Sequence, residues 1–207
     1  MRLGEVIYEP GDTLTHLYFP TTAIVSLLYV MRNGESAEIA IVGSEGVVGV
    51  ALFMGGGSTS SRALVQSAGG AYRLSSALMK REFDQGGPAL HLVLRYTQAL
   101  MTQMMQTAAC NKHHSLDQQL CRWLLLSLDR LQGTKMQMTR NLIAHMLGVT
   151  AEGATEAVLK LRDLGLIDYD HGLIQVLDRA GLEKRSCECY AVVRQEYERL
   201  LPVQLAA

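Results

Sequence analysis

Short β-rich runs, a long heptad-spaced helix, and a helix-turn-helix pattern followed by a hairpin predict an α+β protein with an antiparallel N-terminal part. The β-rich runs extend from Leu3 to about Leu74 and are punctuated by Gly and Pro. From Leu90 to Asn111 apolar and small residues recur in alternating steps of four and three. Between Met138 and Leu177 a small residue, a turn glycine and a strand pair follow in the order a winged helix-turn-helix requires.

Composition sets the outer limits. The 207 residues are 48% hydrophobic and 19% charged, which gives two small domains enough apolar material to build cores. No apolar run approaches the roughly 20 residues of a bilayer span, and Glu5, Pro10 and Gly11 come too early for a signal peptide, so no membrane partner and a cytoplasmic location are expected. Without an export signal, Cys110, Cys121, Cys187 and Cys189 are expected as thiols rather than a disulfide framework. A net charge of −1 provides no global pull towards nucleic acid, so DNA binding would rest on local placement of Arg and Lys.

Along the N-terminal part, Pro10-Gly11-Asp12 forms a turn between strands, and Asn33-Gly34 carries the signal of a tight hairpin. Ser44 to Met54 reads as one short helical turn. The Gly/Ser-rich stretch from Gly55 to Ser61 connects it to the strand that holds Ala63 to Gln66, so it is a loop within the sheet. Several short strands of this kind make a sandwich, a roll or a barrel.

Pro88 suits a first helical turn. The helix it opens carries Leu90, Leu94, Thr97, Met101, Met104, Ala108 and Asn111 as a seam. Such a seam can pack on its own domain, but the helix is long for the mean element and a second copy is the expected partner. A further helix is expected from Leu116 to Leu131, bounded by Asp117 and Gly133. Thr139 then caps a helix with Leu142, Ile143 and Met146 on its buried face, Ala144 at the crossing and Gly148 in the turn. Thr150 caps the second helix, whose inner face is Ala154, Val158 and Leu161. Leu166 to Leu177 forms the wing around Gly172.

The stretches LGEVIYEPGD (3–12), GESAEIAIVGSEGVVG (34–49), MTRNLIAHMLGVTAEG (138–153) and GLIDYDHGLIQVLDRAGLEKRSCECY (165–190), with the long helix, resemble the CRP/FNR family of transcription regulators. The resemblance narrows the N-terminal part to a β-roll (a double-stranded β-helix, jelly-roll-like) over 1–87. It assigns 88–114 to dimerisation and 115–207 to the winged DNA-binding unit. It implies a homodimer on double-stranded DNA, with RNA polymerase as a further partner. Thr139 and Arg140 match positions that hold a phosphate, while Thr150, Ala151, Glu152, Thr155, Glu156 and Lys160 lie on the helix expected in the major groove. An effector would lie near Glu45, Gly46, Val48, Gly49, Ser60, Ser61 and Arg62, with Glu45 or a neighbouring acid reaching a ribose hydroxyl. The family also places a short helical segment before the first strand. Here Met1 stands almost on that strand, so the contacts of such a helix are expected to be missing.

Three departures bear on function. Family members that bind cyclic AMP carry Arg-Ser where this sequence has Ser61-Arg62, and a one-residue shift turns a strand side chain to the other face. That argues against cyclic AMP and leaves another cyclic nucleotide, a cyclic dinucleotide, another small molecule or no effector. The iron-sulfur members use N-terminal cysteines, whereas the first Cys here is Cys110; the pair Cys187 and Cys189 lies far along the chain from His113-His114, so no metal site is expected. The recognition helix offers Glu152 and Glu156 rather than guanine-reading Arg, and from Met136 onward eight bases face ten acids. A form that docks protein without reading DNA is therefore the alternative. Phosphate-loop and nucleophile motifs are absent, Gly55-Gly56-Gly57 lacking the Lys-Ser/Thr that would follow, so no enzyme is expected.

Overall fold

Strand turns come where backbone chemistry requires them. In the computed structural model, which describes residues 1–201, Gly11 and Gly34 both adopt positive φ, at the ends of β1 (Val6–Tyr8) and β3 (Ile24–Val30) respectively. The Asn33 side chain accepts from Glu35 N, closing the hairpin into β4 (Ser36–Val42). With β5 (Arg62–Ser67) these strands form an antiparallel sheet in the order β1-β5-β3-β4, and β2 (His16–Pro20) pairs with β6 (Ala71–Ser75) beside it. The expected helical turn is a 3₁₀ turn, Val50–Leu52.

The unbroken apolar run in β3 has a physical reason: the strand is covered on both faces. Val25 and Leu27 point into the roll with Val42, Val48 and Ala63, whereas Ile24 and Leu28 point out into the core of the C-terminal unit with Leu120, Leu124 and Trp123. The outer cover is α3 (Leu116–Leu128), which starts on a capping box between Ser115 and Gln118. The helix ends at Leu128, short of the expected Leu131.

A helix beyond those expected, α1 (Ser76–Asp84), is capped by Ser75 and precedes α2 (Pro88–His113), which opens on Pro88. The buried face of α2 is Val93, Tyr96, Ala99, Leu100, Gln103, Thr107 and Cys110. Gly46 is needed on the opposing loop because a Cβ there would lie 2.5 Å from the Tyr96 ring.

The C-terminal unit holds α4 (Arg140–Leu147) and α5 (Ala151–Asp163), with Gly148 between them at φ +65°. The wing is β8 (Ile167–Asp170) and β9 (Leu173–Val176), joined through His171 and Gly172, both at positive φ as a type I′ turn needs. A third strand, β7 (Lys135–Gln137), pairs with β9. Two further helices, α6 (Arg179–Arg185) and α7 (Glu188–Leu200), finish the fold, α7 lying along α2. The expected C-terminal unit ran to 207, and its residues 202–207 lie outside the described residues.

Candidate nucleic-acid interface and effector cavity

Both helices of the helix-turn-helix begin on threonine. Thr139 Oγ1 accepts from Leu142 N at 3.2 Å, and Thr150 Oγ1 accepts from Gly153 N at 3.2 Å, each satisfying one free donor of its helix start. Ile143, Ala144 and Met146 of α4 pack against Ala154, Val158 and Leu161 of α5, all in one apolar core. That packing leaves Ala151, Glu152, Glu156 and Lys160 exposed on the outer face of α5, with Thr155 half-buried.

Arg140 is exposed at the entry to α4, its guanidinium 5.3 Å from the ring centroid of Tyr169 in the wing. The stacking holds a cation at the exposed start of the first helix. Lys160 is turned elsewhere: its ammonium lies 2.9 Å from Asp117, which also takes Arg185 at 2.6 Å. Burial alone would raise the Asp117 pKa, but the hydrogen bonds from these two cations outweigh it and hold the carboxyl below its usual range. Thr155 donates its hydroxyl proton back to Ala151 O at 2.7 Å. Glu152 and Glu156 make no ion pair among the described residues.

The seven effector candidates do not converge. Gly49 and Ser61 line a cavity of about 60 Å³ inside the roll together with Tyr8, Leu14, Val47 and Met104. No lining residue is charged, and burial pushes the Tyr8 phenol up to about 12, so it stays neutral. Glu45, expected at a ribose, receives Arg130 Nε at 2.6 Å beneath the helices. Arg62 Nε donates to Glu9 at 2.8 Å and its side chain leaves the cavity, as the alternation of strand faces dictates. Ser60 meets the Tyr29 hydroxyl at 2.8 Å on the surface, Val48 is bridged to Tyr18, and Gly46 packs under Tyr96.

The α2 seam divides as well. Leu94 and Met101 are each 53% exposed, and Ala108 and Asn111 are exposed, whereas Leu90, Thr97 and Met104 are half-buried. Met104 leans into the roll core, and Met105, 60% exposed, takes its place on the outer stripe. The premise that separated the thiols from histidine also fails: Cys110, His114, Cys187 and Cys189 meet in space, while His113 stays exposed. Nothing in the local sequence could have signalled Glu45–Arg130, whose partners stand 85 residues apart.

No curated protein matches the chain. Among solved structures, the transcriptional regulator TTHB099 of the CRP family from Thermus thermophilus is 22% identical, covers 90% of this chain and 95% of its own, and superposes with a TM-score of 0.74. FixK2 from Bradyrhizobium japonicum is 17% identical with coverages of 90% and 94% and a TM-score of 0.74. CLP from Xanthomonas campestris, described as a c-di-GMP responsive global regulator, is 16% identical with coverages of 85% and 91% and a TM-score of 0.64. No described helix is long and apolar enough to cross a membrane. Residues 1–85 match the cyclic nucleotide-binding domain model and residues 118–185 the Crp-like helix-turn-helix domain model, and with a roll, a long helix and a winged reading head in that order the chain belongs to the CRP/FNR family of DNA-binding transcription regulators.

Proposed function

We propose that the protein acts as a homodimer that binds duplex DNA through α4 and α5, with phosphate contact at Thr139 and Arg140. The carrying observation is Arg140 held over Tyr169 at the start of a capped helix, next to a reading face that is otherwise acidic. The outer stripe of α2, with Leu94, Met101 and Met105 exposed, supports the second copy, since so much apolar surface on one helix face favours a partner.

A combined sedimentation and binding series checks this. The chain is expected to sediment as a dimer, with Met101→Glu shifting it to monomer. It should retain promoter-derived duplex at low salt, with an affinity that falls steeply as salt rises. Arg140→Ala should weaken binding about tenfold across sequences and reduce the salt slope by about 1. A folded dimer that retains no duplex at low salt would sink the reading. It would favour a protein-docking role, for which the unpaired Glu152 and Glu156 speak.

The roll is read as closed to cyclic AMP. Small-ligand pockets start at roughly 300 Å³, and the cavity of about 60 Å³ holds no cation to meet a cyclic phosphate. CLP is described as c-di-GMP responsive, and in this chain the Arg62 guanidinium is engaged by Glu9. Cyclic AMP is expected to leave the melting temperature unchanged at millimolar concentration; a rise abolished by Arg62→Ala would contradict this.

A further inference from the structure

We propose that Cys110, His114, Cys187 and Cys189 bind one zinc ion as a closed structural site that fastens the end of the long helix to the start of the C-terminal helix. Cys110 is in the last turn of α2, and His114 is the C-cap residue four positions on, tied back to it by its N–H to Cys110 O at 3.0 Å. Cys187 is the N-cap residue of α7 and Cys189 follows in its first turn. The two pairs come together although Cys110 and Cys187 are 77 residues apart.

Two of the ligand spacings stand near the edges of a single tetrahedral ion, and the others are close enough to contract onto it. All four ligand atoms lie within 4.8 Å of one another. Cys110 Sγ stands 3.5 Å from Cys187 Sγ, and Cys189 Sγ stands 3.6 Å from His114 Nδ1. With Zn–S about 2.3 Å and Zn–N about 2.05 Å, tetrahedral edges are about 3.8 Å between sulfurs and about 3.6 Å between sulfur and nitrogen. A disulfide needs its sulfurs at about 2.05 Å. A two-iron cluster divides its ligands between two metals and spreads them further than one ion does. Hard cations take oxygen ligands, and this set offers none.

Three features around the ligands point the same way. The three cysteines are buried against one another as a cluster separate from both apolar cores, where packing alone gives no reason for three thiols to meet. His114 presents its other nitrogen, Nε2, to Glu188 Oε2 at 3.4 Å, the carboxylate–histidine arrangement that fixes a metal-binding ring. Arg122, 4% exposed, lies within Coulombic reach of Cys110 and Cys189; it donates to Thr107 at 3.2 Å and leaves Nε without a partner. Of the carboxylates near it, Glu38 is held towards its neutral form by burial, and three thiolates, one neutral histidine and Zn²⁺ carry one net negative charge that would balance the cation. Closed burial of the thiolates assigns the ion a structural role. Its place is the junction of α2 and α3 at His114-Ser115, so it would fix the angle between the long helix and the C-terminal unit.

Full-length protein purified in chelator-free buffer should carry one zinc per chain by elemental analysis. Cobalt exchange should give the absorption of a tetrahedral thiolate site. Cys189→Ser should abolish both. In case that variant misfolds, Glu188→Gln, an exposed change, should keep the fold and weaken zinc about tenfold or more in chelator competition. A folded dimer that takes up neither zinc nor cobalt would overturn the proposal, as would a Cys110–Cys187 disulfide in place of two free thiols, or iron with acid-labile sulfide.

Discussion

Arg130→Ala is expected to cost about 3 kcal/mol of folding stability, within the range for stripping one partner from a buried ion pair. Arg130 is 6% exposed at its side chain and serves four elements at once. Its Nε donates to Glu45 at 2.6 Å, Nη1 to the Leu126 carbonyl at 2.8 Å and Nη2 to Gln103 Oε1 at 3.2 Å, while the guanidinium lies 5.3 Å from the Tyr197 ring centroid. Gln103 passes the connection on by donating to Ile41 O in the roll. Removing the cation leaves Glu45 and Gln103 Oε1 facing a cavity. The figure sits at the low end because Glu45 keeps 25% of its side-chain surface exposed and can rehydrate. The cost is a large part of a domain's 5–15 kcal/mol. Urea unfolding of Arg130→Ala, Glu45→Gln and the double variant checks it. The double variant should recover most of the loss, and single changes that each cost under about 1 kcal/mol would refute the clamp.

The parts of the fold visible in the sequence are those set by local backbone chemistry. Gly34, Gly148 and Gly172 all adopt positive φ, a conformation that side chains resist, so their positions announced the hairpin, the helix turn and the wing. Thr139 and Thr150 announced helix starts because a side-chain oxygen must satisfy a free donor there. Where two partners compete for one helix, periodicity stops deciding. The heptad count put Met104 on the outer seam, but the inner and outer stripes of α2 differ by a single residue step, and Met105 is the one left outside. In α7 the inward residues Tyr190, Val193 and Leu200 are interspersed with Arg and Glu, which masked the helix.

Long-range pairing explains what the sequence hid at the sites. Glu45 and Arg62 are acid and base at the expected positions for an effector, but each finds a partner that loop geometry, not spacing, brings near. The cysteine–histidine group failed the usual spacing test because its two halves come from the ends of different helices. The outer face of α5 was legible as a surface, since an amphipathic helix shows which residues it leaves outside. Its electrostatics were not, because Lys160 counts as a free base in the sequence and is bound to Asp117 in the fold.

The seam between roll and reading head should make the protein less stable as pH rises from about 4.5 to 7. Glu38 on β4 is buried against α3, where Oε1 accepts from Trp123 Nε1 at 2.9 Å and Oε2 has no partner. Burial lifts its pKa to about 7 from 4.5; Ser26, Arg122, Trp123 and Arg130 offset only part of that. Ser26 has one hydroxyl proton, which goes to Gln66 Oε1 at 2.9 Å in a buried chain that continues from Gln66 Nε2 to Ser127 Oγ at 3.0 Å. The raised value means that the folded state prefers the protonated acid. Stability from this group is complete below the unfolded value, falls as pH passes from about 4.5 to about 7, and is level above that. The span corresponds to about 3 kcal/mol at 1.36 kcal/mol per pH unit. Glu38→Gln keeps an acceptor for Trp123 and removes the titration. It should be more stable than the parent above pH 7 by up to about 3 kcal/mol. Between pH 5 and 8 its stability should change less, with urea midpoints at the two ends as the measure. Parallel pH curves for parent and variant would show that Glu38 is not the group that titrates. A protein whose reading head rests on a carboxyl kept neutral only by burial has its domain contact weakened by alkali, and the same seam carries the helix that leads to the DNA-binding elements.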